Sequence, residues 1–458
     1  MKKLIVILLL FVGIPLLAAD VTIIGVSSLP GKPIRIIVKS DLISNLERTI
    51  AQTTTDFKGA FTLSFPLQDI TYAEIAVGLD RVEFLLQPGG KYTIELSIKK
   101  TDQQAYFDEQ VLNLKLIKAV DGGVSEQIEN INFIYNTFII KHFNDLYRLR
   151  RISFLDTLAQ EMAKVVNNTT DPFVKEYLHY KMASLDPVVR KMTLQQMYKR
   201  YFENKAISYN NPEYMTLFRE LFAGYLLDNR LLSFDGFVQT TAEGLPQLLL
   251  FVEGDSMLKS DSRFKELWIL MQLNDLFYHP AFRVGSILKV LRSLNQQSHY
   301  NEHQMIASNI IEKKQQLAYG FPAPYFNLTN VQKQKVRLSD FKGFALISFV
   351  NDNCLACEKE IRELKRLYEI YGKNFQFVTI STKEAFDSSV RFFDDNKIEW
   401  PLLDLGDDIF LLEAYNVKVF PELILLIPGG RIGMAPAPPV DQNLEYHMNR
   451  LEKMKNSP

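Results

Sequence analysis

The only two cysteines of this 458-residue chain, Cys354 and Cys357, stand three positions apart, where a strand pattern meets a helix pattern. The apolar run Phe344–Val350 precedes them and is typical of a buried strand. Apolar residues follow at helical spacing, namely Ile361, Leu364, Leu367 and Ile370. The sequence therefore predicts a strand, a short loop and a helix, with a C-x-x-C pair where the helix begins.

Two thiols in this arrangement can form and break a disulfide reversibly. A thiolate at the start of a helix faces unpaired N–H groups and the positive end of the helix dipole, which favour the ionised, nucleophilic form. A second thiol one turn later can attack the mixed disulfide that the first one makes. The pair is therefore the first candidate for chemistry in this chain.

Composition sets broad limits on the class of protein. An apolar content of 47% with 23% charged residues is that of a globular protein. The length predicts about two to four domains. The formal charge of −1 gives no basis for a nucleic-acid partner. Since two cysteines cannot make a disulfide framework, we expect stability to come from packed cores.

Residues 1–19 have the pattern of a signal peptide. Lys2–Lys3 forms the basic part, Leu4–Leu17 the apolar part, and Ala18–Ala19 offers small residues for cleavage. The apolar run is short for a transmembrane helix, although an uncleaved N-terminal membrane anchor is the alternative. We expect a periplasmic protein, whose cysteines lie in an oxidising compartment.

Three regions follow, and each has its own pattern. Residues 20–100 contain short runs of β-branched and aromatic residues between Gly- and Pro-rich turns, which predicts an antiparallel β-sandwich. Residues 103–315 have few glycines and prolines and show helical spacing, which predicts an all-α middle region. Residues 316–458 alternate strand and helix patterns, which predicts an α/β domain with a central sheet.

The C-terminal region resembles the thioredoxin fold and, within it, the TlpA/ResA-like thiol–disulfide oxidoreductases. The resemblance covers roughly the last 140 residues, and the order of its motifs makes it specific. These motifs are the entry segment Gly320–Leu328, the strand and turn Val336–Gly343, the redox motif Cys354–Glu360, Trp400–Pro401, Tyr415–Val417 and Phe420–Pro421. The architecture of the whole chain resembles multidomain TlpA-like proteins of Bacteroidetes-type bacteria.

The resemblance implies roles for four residues. Cys354 would be the attacking thiolate and Cys357 the resolving thiol. Pro421 would be a cis-proline beside the disulfide. Glu360 follows Cys357 by three positions on the same helix face, and if partly buried it could exchange a proton with that thiol. A solvated helix carboxylate is the alternative for Glu360, because charges on helices are usually exposed.

The same resemblance implies a substrate-binding surface. The backbone of Phe420 would pair with an extended client segment as an added strand. Asn353, Leu355 and Ala356 would flank the client at the redox motif. The family commonly has Trp where this chain has Asn353, and a Pro-containing pair where it has Leu355–Ala356. These departures leave the reduction potential open, since residues between the cysteines help to set it.

Three rival interpretations of the cysteine pair are weaker. A structural disulfide closing so small a loop stabilises by only about 2 kcal/mol in the chain-entropy model. A zinc site usually needs four ligands, and His299 and His303 do not have the His-Glu-x-x-His order. A peroxiredoxin would need Pro and Thr where this chain has Ile347 and Asn351.

We therefore expect an exported thiol–disulfide oxidoreductase, more specifically a reductase, that exchanges disulfides with protein substrates. No metal or organic cofactor is expected. Because the sequence has no flavin or nicotinamide fingerprint such as G-x-G-x-x-G after a strand, we expect electrons to come from another thiol–disulfide protein, for which a membrane-embedded donor is one candidate. The alternative is a non-catalytic binding or scaffold protein whose thioredoxin-like domain is vestigial, because fold alone does not imply function.

Overall fold

The computed structural model describes residues 19–78, 80–99, 111–166, 171–228, 231–352, 354–406 and 408–455. The predicted signal peptide, residues 1–19, lies outside these ranges except for Ala19. The chain forms two compact units. One comprises the residues through Leu276 together with Pro280–Ser286, and the other comprises Phe277–His279 and Ile287–Pro458. The predicted domain limits of 20–100, 103–315 and 316–458 stay predictions.

The first unit begins with eight strands in two sheets. The strands are β1 Ala19–Ser27, β2 Pro33–Lys39, β3 Glu47–Thr54, β4 Ala60–Leu67, β5 Thr71–Val77, β6 Asp80–Leu86, β7 Lys91–Lys99 and β8 Val111–Val120. One sheet has the order β4-β1-β7-β8 and the other β3-β2-β5-β6. All pairings are antiparallel except that of β1 with β7.

The two sheets share one apolar core because their strands alternate buried and exposed side chains. In β4 every second residue is buried, from Phe61 to Leu67. Val21 and Ile23 of β1 lie in the same core cluster as Ile34 and Ile36 of β2. This alternation is what a half-buried strand requires.

Strand β8 lies in the range 103–315, whose sequence suggests helices. Leu112, Leu114 and Leu116 alternate with polar residues along it and pack on the sandwich core. A period of two places them all on one side of a strand, whereas a helix would spread them around its axis. Pairing with β7 therefore prevails over the helical tendency of the flanking sequence.

Thirteen helices follow among the described residues before the C-terminal sheet. They are α1 Val124–Lys141, α2 Ile152–Val166, α3 Pro172–Ala183, α4 Asp186–Val189, α5 Leu194–Tyr201, α6 Pro212–Phe222, α7 Tyr225–Asp228, α8 Phe234–Glu243, α9 Leu245–Val252, α10 Ser256–Lys259, α11 Ser262–Asp275, α12 Val284–Gln297 and α13 Asn301–Gln315. A π-helical turn, Asn144–Arg148, follows α1. Asp171 and Asn211 cap α3 and α6, and each is followed by a proline at the first helical position.

The C-terminal sheet has seven strands with the order β10-β9-β13-β12-β11-β14-β15. The elements are β9 Asn327–Asn330, β10 Lys335–Arg337, β11 Phe344–Val350, α14 Leu355–Tyr371, β12 Phe375–Ser381, α15 Phe386–Asn396, β13 Leu402–Asp404, α16 Ile409–Ala414, β14 Glu422–Ile427, β15 Arg431–Ala437 and α17 Leu444–Lys455. Short 3-10 turns precede β11 and α17, at Leu338–Asp340 and Val440–Gln442. The predicted fold class is therefore confirmed: two N-terminal sheets, a helical middle region and a mixed α/β thioredoxin-like domain.

Strand β11 is the centre of this domain. All seven of its residues are buried, and it runs parallel to β12 and antiparallel to β14. One face of the sheet packs against Ile361, Leu364 and Leu367 of α14, and the other face forms a second core cluster. The end of β11, where the chain leaves the sheet toward the cysteines, is thereby fixed.

No helix within the described ranges is long and apolar enough to cross a membrane.

Candidate active site

The redox motif lies where the chain leaves β11 and enters α14. Cys354 is the residue that caps α14, and its Sγ accepts a hydrogen bond from the backbone N–H of Cys357 at 3.1 Å. Cysteine thus satisfies one of the N–H groups that a helix leaves unpaired at its start. The same N–H would stabilise negative charge on a reduced Cys354 sulfur.

The two cysteines form a disulfide but differ in accessibility. The bond joins Cys354 and Cys357, whose Cα atoms are 5.2 Å apart. Cys357 is only 4% exposed and belongs to the core between α14 and the sheet, whereas Cys354 is half-buried. A partner molecule can therefore reach the sulfur of Cys354 more readily than that of Cys357.

The segment before β14 brings a backbone carbonyl to this sulfur. The Phe420–Pro421 peptide bond is cis. The Sγ of Cys354 lies 3.8 Å from the carbonyl oxygen of Phe420. Strand β14 starts at Glu422, directly after Pro421, and pairs with β11. The structure therefore places Phe420 and Pro421 beside the disulfide, 66 residues after Cys354 in the chain.

Glu360 is buried rather than solvated. It is 7% exposed and lies one turn after Cys357, among the residues that α14 turns toward the core. Its Oε1 accepts a hydrogen bond from the backbone N–H of Val440 at 2.7 Å. Burial raises the pKa of the Glu360 carboxyl, and nearby Asp441 raises it further, while the Val440 hydrogen bond and Lys359 lower it. A carboxyl whose pKa is raised in this way holds its proton more tightly than an ordinary glutamate and can exchange it with a nearby thiol.

The residues between the cysteines face solvent. Leu355 is 69% exposed and Ala356 is exposed as well. Val419, next to Phe420, is 65% exposed. Asn353 lies outside the described residues. Apolar side chains are thus available on the redox motif and on the cis-proline segment.

A small cavity adjoins both cysteines. Its volume is about 130 Å³, and polar residues of the loop and of α15 line it together with aromatic residues, among them Asn351, Asp352, Ser388 and Phe392. A larger open groove of about 530 Å³ lies on the outer face of the sheet that contains β1. It holds no cysteine or histidine, and we assign no chemistry to it.

Sequence reasoning missed Val440 and Asp441, which lie about 80 residues after the redox motif. Val440 contributes a backbone N–H, and every residue except proline has one, so the sequence contains no signal for it. Asp441 forms an ion pair with Lys359, 3.1 Å between Nζ and Oδ2. Such pairs depend on tertiary contact alone.

The described residues contain no group of three or more His, Cys, Asp or Glu that could hold a metal ion. His303, one of the two histidines considered as ligands, is completely buried.

Comparison with known proteins gives consistent matches for this domain. Residues 319–426 match the AhpC/TSA family. The chain is 27% identical over 151 residues to the thiol-disulfide oxidoreductase ResA of Geobacillus kaustophilus, a match covering 32% of this chain and 86% of that protein. It is 25% identical over 129 residues to ResA of Bacillus subtilis, covering 28% and 72%.

Two solved structures from Bacteroides are also similar. One is a thiol:disulfide interchange protein from Bacteroides sp., 29% identical, covering 31% of this chain and 93% of that one with a TM-score of 0.27. The other is the thioredoxin domain of a thiol-disulfide oxidoreductase from Bacteroides vulgatus, 29% identical, covering 30% and 98% with a TM-score of 0.27. Together with the family match and the ResA relatives, the redox disulfide identifies about 30% of the chain, at its C-terminal end, as an AhpC/TSA thioredoxin-like domain related to the ResA and TlpA thiol–disulfide oxidoreductases.

Proposed function

We propose that the protein is an exported, periplasmic reductase of disulfides in client proteins. The observation that carries the proposal is the asymmetry of the disulfide. Cys354 is half-buried, caps a helix and lies against the Phe420 carbonyl, whereas Cys357 is buried one turn behind it. The similarity of the chain to the thiol-disulfide oxidoreductases named ResA supports the proposal. The apolar pattern of residues 1–19 supports export.

The reaction consists of two exchanges. The Cys354 thiolate attacks a client disulfide, so a bond forms between Sγ and one client sulfur while the other client sulfur leaves as a thiolate and takes a proton. Cys357 then loses its proton to Glu360 and attacks the Cys354 sulfur. The client leaves with both sulfurs reduced, and Cys354 and Cys357 are again a disulfide.

Two electrons thus pass from the protein dithiol to the client. A reduced thiol–disulfide protein, acting as donor, returns the pair to the dithiol by the same chemistry in reverse. The client would lie as an extended segment along Phe420, with Leu355, Ala356 and Asn353 on its other side. Apolar exposure of Leu355 and Val419 supports a polypeptide client over a small polar one.

Trapping the mixed disulfide tests this proposal. We expect reduced Cys357→Ser protein to accumulate mixed disulfides with client proteins on Cys354, because the second exchange is blocked. Cys354→Ser protein should form none and should fail to reduce insulin. A Cys354 thiol that resists alkylation after reduction would refute catalysis and favour a scaffold role. A reduction potential of about −270 mV would support the reductase direction, and one of about −120 mV would contradict it.

A further inference from the structure

The turn Val440–Gln442 touches the start of α14 at two consecutive residues. The Val440 N–H donates to Glu360, and Asp441 pairs with Lys359, the residue before it. Within the described residues, the bond from Val440 is the only hydrogen bond of the Glu360 side chain. The carboxylate is therefore held in one place by a segment far away in the sequence.

The contacts of this turn are specific to the redox end of α14. The helix also meets α17 further along, where Arg366 pairs with Glu445 at 3.0 Å and the Tyr371 hydroxyl accepts from Asn449. Those contacts lie about two and a half to four turns beyond Cys357 and involve no buried carboxylate. By contrast, Val440 contacts the buried acid that follows the resolving cysteine, and Asp441 pairs with the lysine directly before that acid.

We propose that the turn Val440–Gln442 is a positioning element of the redox site, in which the Val440 N–H and the Asp441 carboxylate fix and tune Glu360 as the proton acceptor for Cys357. This inference rests on the proposed function. Val440 and Asp441 touch no reacting atom and act only through Glu360 and Lys359. The C-terminal segment is thereby part of the active site and not only a cover for the sheet.

The charges acting on Glu360 determine the direction of each effect. They are Lys359 and Glu363 on its own helix and Asp441 on the turn, with the thiol of Cys357 beside it in the reduced protein. Removing the Asp441 charge lowers the pKa of Glu360, because a repelling carboxylate is lost and Lys359 is no longer neutralised. Removing the Val440 N–H raises that pKa, because the ionised form loses its hydrogen bond.

The experiment follows the two exchanges separately, with the reduced full-length protein and the aromatic disulfide of 5-thio-2-nitrobenzoate as the probe. The first release of the coloured thiol reports attack by Cys354, and the second reports attack by Cys357 on the mixed disulfide. In the wild type we expect the second release to slow at low pH as Glu360 takes a proton. The variants are Asp441→Asn and Val440→Pro. The matched control is Glu445→Gln, which removes another solvent-accessible ion pair on α14, the one that Arg366 makes with α17.

The proposal predicts opposite shifts. Asp441→Asn should move the low-pH fall of the second release to lower pH, and Val440→Pro should move it to higher pH. Glu445→Gln should leave it in place. The proposal would be overturned if the second release of Asp441→Asn fell at the same pH as in the wild type, or if Glu445→Gln shifted that pH equally. If Val440→Pro does not fold, Asp441→Asn decides alone. Absence of the first release in the wild type would instead refute the proposed function, and this inference with it.

Discussion

At the scale of single residues, the buried carboxyl of Glu360 most clearly separates this site from an ordinary helix start. Three other charged residues surround it in sequence, Glu358, Lys359 and Glu363. Those three are at least partly solvent-accessible, whereas Glu360 is buried. Burying an ionised group without a charged partner lowers the stability of the fold. A role of Glu360 in proton transfer would explain why this carboxyl is buried nevertheless.

A first prediction concerns the pH dependence of stability. Because the pKa of Glu360 is raised above its ordinary value of 4.5, the folded protein binds this proton more tightly than the unfolded chain. Its contribution to stability is therefore complete below pH 4.5 and is lost as pH rises through the folded-state value. Glutamine avoids this loss and can still accept the Val440 hydrogen bond. We expect Glu360→Gln to raise Tm at pH 7 but not at pH 4.

Calorimetry of the oxidised protein at the two pH values is the measurement. Glu363→Gln is the matched control, because Glu363 is an exposed carboxylate on the same helix. An equal change of Tm at both pH values in Glu360→Gln would contradict a cost due to ionisation.

A second prediction concerns a buried hydroxyl. Thr379 of β12 accepts a hydrogen bond from the Trp400 Nε1–H at 2.9 Å, and its hydroxyl bonds to that of Ser348 on β11 at 2.7 Å. Thr379→Val has nearly the same shape but leaves the Trp400 Nε1–H without its acceptor inside the core, while the Ser348 hydroxyl keeps only its longer bond, 3.4 Å, to the Val378 carbonyl. We expect it to cost about 1–3 kcal/mol in the free energy of unfolding. Thr379→Ser keeps the hydroxyl and should cost less, and an equal loss would mean that packing dominates.

At the scale of elements, the sequence pattern predicts a strand correctly where its residues are all buried or alternate between buried and exposed, and where no helical pattern adjoins it. The run Phe344–Val350, apolar except for Ser348, is strand β11 over the same limits, and β4 shows the alternation of Phe61, Leu63 and Phe65. Strand β8 was missed because its period-two pattern stands directly before a long helical region, although its partner β7 is the preceding strand. Periodicity describes local geometry, whereas strand pairing depends on the folded chain.

In the candidate site, too, some features could be predicted from local sequence and others depend on tertiary contacts. Cys354, Cys357 and their place at the helix start follow from local sequence, and Pro421 follows from a family resemblance. The hydrogen bond from Val440 to Glu360 could not be predicted, because it joins a generic backbone group to a helix residue 80 positions earlier in the chain. The roles of these residues in catalysis stay predictions until the exchange steps are measured.

A third prediction belongs to the strand connections of the sandwich. Gly59 has a φ of +80°, and a Cβ there would lie 2.0 Å from the backbone carbonyl oxygen of Ser27. Gly31 also has a positive φ, +69°, but a Cβ there would meet no atom within 4 Å. In both variants the alanine must adopt a positive φ, which strains a residue that has a Cβ. Only Gly59→Ala also requires β1 to move away from the new Cβ.

We therefore expect Gly59→Ala to destabilise by about 1–3 kcal/mol more than Gly31→Ala. Calorimetric unfolding of both variants measures the difference. Equal destabilisation would show that the loop before β4 moves freely away from Ser27, which would contradict the hydrogen bond from the Ser27 N–H to the Gly59 carbonyl.

At the scale of the whole molecule, apolar packing is spread over separate cores. The sandwich, the N-terminal helices and the two faces of the C-terminal sheet each have a buried cluster. The disulfide joins residues only three positions apart. Closing so small a loop adds about 2 kcal/mol at most in the chain-entropy model. We therefore expect the fold to tolerate the opening of this bond, which leaves the bond available for chemistry.

This leads to the last prediction, made for the intact protein. Reduction of Cys354 and Cys357 should leave far-ultraviolet circular dichroism unchanged and lower Tm by only a few degrees, because about 2 kcal/mol is a modest part of the stability of a domain of this size. The double variant Cys354→Ser/Cys357→Ser should have the same Tm and circular dichroism as the reduced protein, because it cannot form the disulfide. Unfolding of the C-terminal domain on reduction would mean that the disulfide is structural, and a protein that unfolds whenever it donates electrons could not cycle as a reductase.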